Sequence, residues 1–286
     1  MKKTTTVFLV LALALAVFSV KAYADTATGS VGITNVAPTV GTVTLWNQAT
    51  ADAAITLTAG STVTVTANAT VTDLNGGANI ASAAATLYHS TSTSAGVDDE
   101  NIHLTNGTCS LGSAVGNTKV ATCSFTMNYM ALSGTWTANI TATDGSSAAG
   151  SATDDNTVNS LAALDVTDTT ISFSTLALGA NSTSATTMTV QNLGNVQIDS
   201  IFSGTNYTCT IGEIPATNTK YGLVSANYDT LTTGLTEAAV TQTGFDLTYR
   251  TGGTNSTKSE YWGILIPASG VSGTCTDTLT VAAIAG

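Results

Sequence analysis

Apolar and small polar residues alternate with a period of two along much of this chain. Between residues 63 and 71, Val and Ala occupy the odd positions, and Thr and Asn occupy the even ones. Because successive side chains of a strand point to opposite faces of a sheet, this period predicts strands with one face in a core. The same pattern predicts strands at 123–129, 136–142, 171–173, 188–190, 196–198 and 279–281. Residues 79–88 fit a short helix or an Ala-rich strand equally well.

Turn-forming residues separate these segments. They are Asn75-Gly76-Gly77, Asp144-Gly145, Gly194-Asn195 and Gly252-Gly253. Many short strands divided in this way are typical of β-sandwiches. The chain has 286 residues, which is long for one ordinary domain and suits two. Its character changes near 159–165, after an acidic, small-residue stretch. We therefore predict an all-β protein with sandwich domains at 36–160 and 164–286.

The first 24 residues have the parts of a secretory signal peptide. Lys2 and Lys3 precede an apolar run from residue 7 to residue 20, and Ala22-Tyr23-Ala24 follows it. As a helix this run rises only about 21 Å, which is short of a bilayer core of about 30 Å. We predict a leader at 1–24 and an extended arm at 25–35. An uncleaved anchor is the alternative.

Cations are scarce, and this excludes several kinds of partner. Three of the seven basic residues fall in the predicted leader, which leaves four against eighteen acids and a formal charge of −14 after cleavage. Four cations cannot build the basic surface that neutralises phosphates, so we expect no nucleic-acid partner. Attraction to anionic lipid is excluded on the same ground, and we expect no membrane insertion once the leader is removed.

The four cysteines are even in number, which in an exported chain favours disulfides. Three pairings are possible, and position favours Cys109–Cys123 and Cys209–Cys275. Gly116 is the midpoint between the first two, as it would be in a hairpin bridged across its strands. The chain has no C-x-x-C motif, and both histidines lie apart from the cysteines, so we expect neither a metal site of this kind nor any cofactor.

Several motifs resemble those of bacterial and archaeal immunoglobulin-like and cadherin-like surface-protein modules. Residues 35–40 (NVAPTV) are similar to the junction that opens such repeats, and residues 134–144 (GTWTANITATD) to their closing hairpin. In the second half, residues 171–179 and 190–196 resemble sandwich modules of exported surface proteins. The resemblance implies two tandem immunoglobulin-like sandwiches. Such modules serve as stalks, adhesins, surface layers and filament subunits, so it does not choose an activity.

Six N-x-S/T sequons make N-glycosylation a candidate modification. They begin at Asn68, Asn106, Asn139, Asn181, Asn206 and Asn255. Asn68 and Asn139 fall on the polar faces of their predicted strands, where a glycan could project. The alternative is chance, since a chain rich in Asn and Thr contains sequons by composition alone.

Two acidic stretches are weak candidates for calcium. Asp73 and Asn75 resemble part of an oxygen-ligand loop, and Asp98, Asp99 and Glu100 cluster three acids. The full loop pattern is absent, since neither the third acid position nor the distal Glu is present. An Asx turn at Asp73 and a solvated loop at 98–100 are the simpler interpretation, and no metal site is predicted.

Catalytic motifs are missing from the sequence. It contains no G-x-S-x-G, H-E-x-x-H or P-loop pattern. The two histidines, His89 and His103, flank a predicted long loop, where we expect them to be solvated. We therefore predict that the protein is not an enzyme.

Among aromatic residues, Trp136 and Trp262 are expected in cores, and Trp46 is the better candidate for an exposed sugar-stacking ring.

These observations support three hypotheses in order. The first is a non-enzymatic structural protein, extracellular or at the cell surface. Its arm at 25–35 could add as a β-strand to a sheet edge of another copy, and the alternatives are a floppy tail or an extra strand of its own domain. Val31 and Ile33 alternate in that arm. The second is an adhesin module that binds glycans or other surface proteins through exposed aromatics and loops. The third is a secreted hydrolase.

Overall fold

The computed structural model describes residues 26–47 and 53–286, and the chain divides into two compact units, 1–35 and 36–286. The predicted leader and the first residue of the arm lie outside the described residues. Residues 26–35 belong to no helix or strand, and all of them are exposed. Within the described ranges, no helix has the length and hydropathy to span a bilayer. The described chain is all-β, as predicted.

The first sandwich consists of two four-stranded antiparallel sheets. The sheet orders are β1-β2-β6-β5 and β4-β3-β7-β8. The strands are β1 (Thr39–Trp46), β2 (Thr62–Thr72), β3 (Ile80–His89), β4 (His103–Asn106), β5 (Ser110–Leu111), β6 (Thr118–Asn128), β7 (Gly134–Asp144) and β8 (Ala149–Val158). The segment at 79–88, left open by the sequence, is largely strand β3. A 3₁₀ turn at Gly77–Asn79 precedes it.

The core of the first sandwich contains the apolar residues predicted from the alternation. In β2, Val65, Ala67, Ala69 and Val71 are buried, and the intervening polar residues lie on the outer face. The neighbouring strand β6 and strand β7 of the facing sheet contribute larger groups to the same core, including Phe125, Met127, Trp136 and Ile140. Trp136 is fully buried, as predicted.

A hairpin positions the first disulfide. Val115 and Thr118 exchange main-chain hydrogen bonds of 2.9 and 3.0 Å, and Gly116 between them has a φ of 58°. A two-residue hairpin turn of this type needs positive φ, which glycine adopts without strain. The register of β5 with β6 then brings Cys109 opposite Cys123, and the two form a disulfide. The predicted pairing is present in the structure.

The second sandwich has one five-stranded sheet, β15-β14-β17-β10-β9, and two three-stranded sheets, β16-β11-β19 and β13-β12-β18. The strands are β9 (Leu164–Val166), β10 (Thr186–Asn192), β11 (Ile198–Gly204), β12 (Tyr207–Ile211), β13 (Glu213–Ile214), β14 (Thr219–Gly222), β15 (Thr233–Gly234), β16 (Val240–Thr241), β17 (Thr257–Ile264), β18 (Ser272–Thr276) and β19 (Leu279–Ala285). A second 3₁₀ turn spans Ala216–Asn218. Strand β11 leads into β12 and pairs with β19, and β12 pairs with β18, so the two small sheets are consecutive parts of one ribbon.

An aromatic cluster fills the second core. The ring centroids of Phe202, Tyr221 and Trp262 lie 4.9 to 5.1 Å from one another. All three side chains are buried, as predicted for Trp262. Edge-to-face and offset contacts at these distances add to the stabilisation from apolar burial. This core lies apart in sequence from the first, within the single unit at 36–286. That 36–160 and 164–286 are separate domains stays a prediction.

The strand predicted at 171–173 is wrong. Residues 168–177 belong to no strand, and the pairing of β9 with β10 ends just before them. The neighbouring strand β10 begins only at Thr186, so in the register of β9 with β10 no strand lies opposite 171–173. At the end of the ladder the Asp168 carboxylate accepts the N–H of Thr189 at 2.9 Å. The strand predicted at 196–198 begins later than expected: of that segment, only Ile198 lies in β11.

Two buried asparagines bond the first sandwich to the second. Asn101 donates through its amide to the carbonyl oxygens of Met130 at 2.7 Å and Arg250 at 2.8 Å. From the other side, Asn195 donates to the carbonyl oxygen of Ala131 at 2.9 Å. Both asparagine side chains are buried, so water competes little for the hydrogen bonds that their amides donate.

Candidate functional site

A groove of about 1300 Å³ opens in the second sandwich. One wall is the edge strand β9 together with the irregular segment that follows it, and the other wall includes β18 and β19. Buried Met188 and Trp262 contribute to the lining from the five-stranded sheet. The groove therefore separates an edge of one sheet from an edge of the facing ribbon, and both apolar and polar side chains line it.

The irregular segment packs its apolar side chains into this region without forming a ladder. Ile171, Phe173 and Leu176 are only partly buried against the two core clusters of the second sandwich. The carbonyl oxygen of Ser172 accepts a hydrogen bond from the Thr186 hydroxyl at 3.2 Å, a side-chain bond in place of a main-chain one. The irregular segment thus contributes apolar surface but no paired strand.

Strand β19 is an edge strand: within the part of the chain that the structure describes, only β11 pairs with it. At its two ends, the N–H of Thr205 donates to the Thr278 carbonyl at 3.1 Å, and the N–H of Gly286 donates to the Gln197 carbonyl at 3.0 Å. In an antiparallel pair, alternate residues bond to the same neighbour. The even-numbered residues of β19 therefore bond inward to β11, and the odd-numbered ones direct N–H and C=O outward.

The same odd-numbered residues face the core. Leu279, Val281 and Ala283 pack against the second core but remain only partly buried, and the first two line the groove. A central strand with a neighbour on each side would bury such residues fully. The combination of outward main-chain groups and half-buried apolar side chains is that of a sheet edge able to receive another strand.

The ionisable groups of the groove are acidic. Asp165, Asp168 and Asp277 line it, and no Lys or Arg does so within the described residues. Burial raises the pKa of Asp277, against a hydrogen bond from Tyr207 that lowers it. Burial also raises the pKa of Tyr207 to about 12. The second disulfide pairs Cys209 with Cys275, as predicted, and joins β12 to β18 at the wall of the groove that Cys275 lines.

The histidines are buried, so the prediction that they are solvated is wrong. The segment between them folds back, since the N–H of His89 bonds to the Ile102 carbonyl and that of Asp99 to the His103 carbonyl. The His89 ring then lies edge-on to the Trp136 ring, with the two centroids 5.9 Å apart. The exposure of His103 is 1%. The sequence showed the long loop but not its return.

His103 lines a smaller cavity of about 370 Å³ with Asp98, Asp99, Glu100 and Ser124. Its Nδ1 lies 3.2 Å from the Asp98 carboxylate. The Thr105 hydroxyl and then His103 hold the pKa of Asp98 below its ordinary value. Nε2 of His103 is buried and has no hydrogen-bond partner. A triad needs that nitrogen to bond its nucleophile, so the arrangement is not that of a Ser-His-Asp site.

The calcium candidates are occupied by local hydrogen bonds. Asp73 is buried, and its two carboxylate oxygens accept from the N–H of Asn75 at 2.8 Å and from the amide of Asn79 at 2.9 Å. Asp99 accepts the N–H of Asn101 at 2.8 Å. Among residues 26–47 and 53–286, no group of three or more His, Cys, Asp or Glu side chains is placed to hold a metal ion.

The sequons differ in accessibility. Asn206 and Asn255 are exposed, and the other four are half-buried. Asn68 and Asn139 do lie on outer faces, but their side-chain oxygens are buried without a hydrogen-bond partner. The amide nitrogen that would carry a glycan already donates a hydrogen bond in Asn106 and Asn181. Asn206 and Asn255 are thus the accessible acceptors, and glycosylation itself stays a prediction.

Every aromatic side chain in the described ranges is buried or half-buried, and this includes Trp46. The large exposed apolar residues are aliphatic, and Val31 and Ile33 of the arm are among the most exposed, at 85% and 82%. As predicted, Trp46 is more exposed than Trp136 and Trp262, which are buried, but its position at the end of β1 leaves its ring half-buried.

The four cations of the described chain do not pair with carboxylates. Three of them donate to main-chain carbonyl oxygens, and the Lys220 ammonium lies 4.4 Å from the Tyr228 ring centroid. The three that bond to carbonyls are Lys119, Arg250 and Lys258. The acidic side chains are therefore left largely uncompensated at the surface.

A buried carboxyl was missed by the sequence analysis. Glu260 on β17 has no exposed surface, and its one hydrogen-bond contact is with the Ser200 hydroxyl at 3.4 Å. Burial raises its pKa to about 7, against smaller lowering effects of Ser200 and Lys258. The alternation contained the signal, because Glu260 shares the parity and hence the core face of Trp262.

The described chain is thus all-β, contains two disulfides, and has a groove at an unpaired sheet edge of its second sandwich. No protein-family model matches the sequence, and no curated protein matches it. Among solved structures, the C-terminal domain of the Streptococcus pyogenes antigen I/II-family protein AspA aligns over 86% of this chain and 100% of its own, at 9% identity and a TM-score of 0.25. The C-terminal domain of the Streptococcus agalactiae AgI/II polypeptide BspA aligns over 86% and 99%, at 11% identity and a TM-score of 0.20. TM-scores below 0.5 do not define a common fold, so these similarities carry no argument about function.

Proposed function

We propose that this chain is an exported, non-enzymatic structural protein of the cell surface, whose copies associate through β-strand addition by the arm at 25–35. The observation that carries the proposal is the exposure of Val31 and Ile33, at 85% and 82%, in a segment that belongs to no strand. Two β-branched residues spaced by two present one apolar face when extended, and such a face is stabilised by burial against a partner.

Export is supported by the leader sequence and the two disulfides. Disulfides persist outside the reducing cytosol, and both cysteine pairs are joined. The low cation content also suits a surface that does not engage nucleic acid or anionic lipid. These features support an extracellular or cell-surface location.

The alternatives have less support. A glycan-binding adhesin would stack sugars on exposed rings, and the described aromatics are all at least half-buried. A Ser-His-Asp hydrolase would need a reachable imidazole nitrogen, and Nε2 of His103 is buried without a hydrogen-bond partner. Binding of other surface proteins through the arm would be a variant of the proposed mechanism.

The test compares self-association of two exported proteins, each made with its own leader: the complete chain and one lacking residues 25–35. We expect the complete chain to form concentration-dependent oligomers in sedimentation velocity and the deletion to remain monomeric. N-terminal sequencing should begin at Asp25. Strictly monomeric behaviour of both proteins at high concentration would overturn the assembly proposal, whereas association of both would overturn the role of the arm.

A further inference from the structure

We infer that the acceptor for the arm is the groove of the second sandwich in another copy, where residues 26–35 add as a strand beside β19. This inference rests on the proposed function and specifies its acceptor. The groove has the two things an incoming strand needs: outward main-chain groups along β19, and apolar side chains that are only half-buried, Leu279, Val281 and Ala283.

The arm fits this acceptor in length and pattern. Ten extended residues span about 33 Å, and the seven residues of β19 span about 23 Å, so the arm can run the whole edge. One face of the extended arm holds Val31 and Ile33, and the other face has Thr28, Ser30 and Gly32. The first face would enter the groove above Met188 and Trp262, and the second would face water.

The absence of charge in the arm favours it over other segments as the occupant of the groove. The groove is lined by three carboxylates and by no described Lys or Arg. Residues 26–35 carry no charged side chain, so they approach without repulsion, whereas the chain as a whole has a formal net charge of −11. Desolvation also costs least for an uncharged strand, because the main-chain groups that it turns toward β19 can bond to the outward groups of that strand.

Substitutions on the two faces of the arm provide matched variants. Val31→Asp with Ile33→Asp adds two charges to the face that enters the groove, and Ser30→Asp with Gly32→Asp adds the same two charges to the other face. We expect at least a tenfold weaker association constant for the first pair and less than a threefold change for the second.

A substitution at the acceptor tests the groove. Ala283→Pro removes an N–H that points outward, so β19 keeps its bonds to β11 while one bond to the incoming strand is lost. We expect Ala283→Pro to weaken association at least tenfold. It should also weaken capture of a fluorescent peptide of residues 25–36 by the Val31→Asp, Ile33→Asp chain, which leaves the groove vacant.

Hydrogen exchange on the unmodified chain gives a readout that does not depend on the folding of Ala283→Pro. We expect the amides of Leu279, Val281 and Ala283 to exchange at least about tenfold more slowly at high protein concentration than at low, with the even-numbered amides of β19 unchanged.

The outcomes separate the two proposals. If the chain associates through the arm but the outward amides of β19 stay unprotected and a folded Ala283→Pro variant still associates, the groove is not the acceptor and the proposed function stands. If those amides are equally protected at all concentrations, the groove is not filled by a second copy, and the inference is overturned. If the chain never associates, the proposed function fails.

Discussion

Replacing Glu260 by Gln should make the protein more stable at pH 8 while leaving it almost unchanged at pH 4. The carboxyl is enclosed by the second core, where Tyr221 and Trp262 pack nearby, and its second oxygen is buried without a partner. Gln has nearly the same shape as a protonated Glu, so the substitution imitates the neutral form and removes the charged one.

The magnitude follows from the difference in pKa between the folded and unfolded chain. The ordinary pKa is 4.5, and burial raises it to about 7 in the native state. The native state therefore retains the proton over this interval, and the contribution of Glu260 to stability is full below the unfolded pKa and falls as the pH rises through the folded one. At about 1.4 kcal/mol per pKa unit, the loss between pH 4.5 and pH 8 is about 3 kcal/mol.

The assay is urea unfolding of the wild-type chain and the variant at several pH values from 4 to 8. Subtracting the two free energies of unfolding cancels contributions from other acids. Glu213→Gln is the matched control, because that carboxyl is exposed. A difference between Glu260→Gln and wild type that stays constant across this pH range would refute the reasoning, as would an equal slope for Glu213→Gln.

Three further changes test the framework. Replacing Cys109 and Cys123 together by Ser should lower the free energy of unfolding by about 3 kcal/mol in urea titrations, since the disulfide closes a 14-residue separation. Gly150→Ala should destabilise by about 1–3 kcal/mol in the same assay, because a Cβ there would lie 2.0 Å from a neighbouring main-chain carbonyl oxygen. Gly253→Ala, with nothing within 4 Å of its Cβ, should show no such loss. Asn101→Ala should cost about 1–3 kcal/mol and increase protease cleavage near the junction, because it leaves the buried carbonyl of Met130 and the partly buried carbonyl of Arg250 without their donor.

Much of the first sandwich was predictable because its strands are long and one-sided. Strands β2, β6 and β7 each have 11 residues with a buried side chain at nearly every second position, so the alternation alone identifies them. The turn at Gly116 similarly fixes the hairpin, and with it the Cys109–Cys123 pairing. Here local pattern and tertiary structure agree.

The failures came from contacts that a local pattern does not record. The alternation at Ile171 and Phe173 is that of a strand, yet the neighbouring strand β10 begins only at Thr186, so no strand lies opposite these residues in the register of β9. His103 is buried because its loop returns to the sheet, which its own neighbours in sequence do not indicate. The groove was not predictable from β19 alone, because its existence depends on which strand lies beside it in space.

The way this chain uses its cations has a consequence for how copies would meet. Each described Lys and Arg is held by a carbonyl or a ring and not by a carboxylate. Because eighteen acids outnumber the four cations that remain after the predicted leader, carboxylates dominate the outer field of every molecule. Like-charged molecules repel over a distance set by ionic strength, which is about 10 Å in 0.1 M salt and longer in dilute solution. Dissolved ions would thus act as a permissive signal for contact between copies, with dilute surroundings keeping newly released molecules apart and saline ones letting them approach.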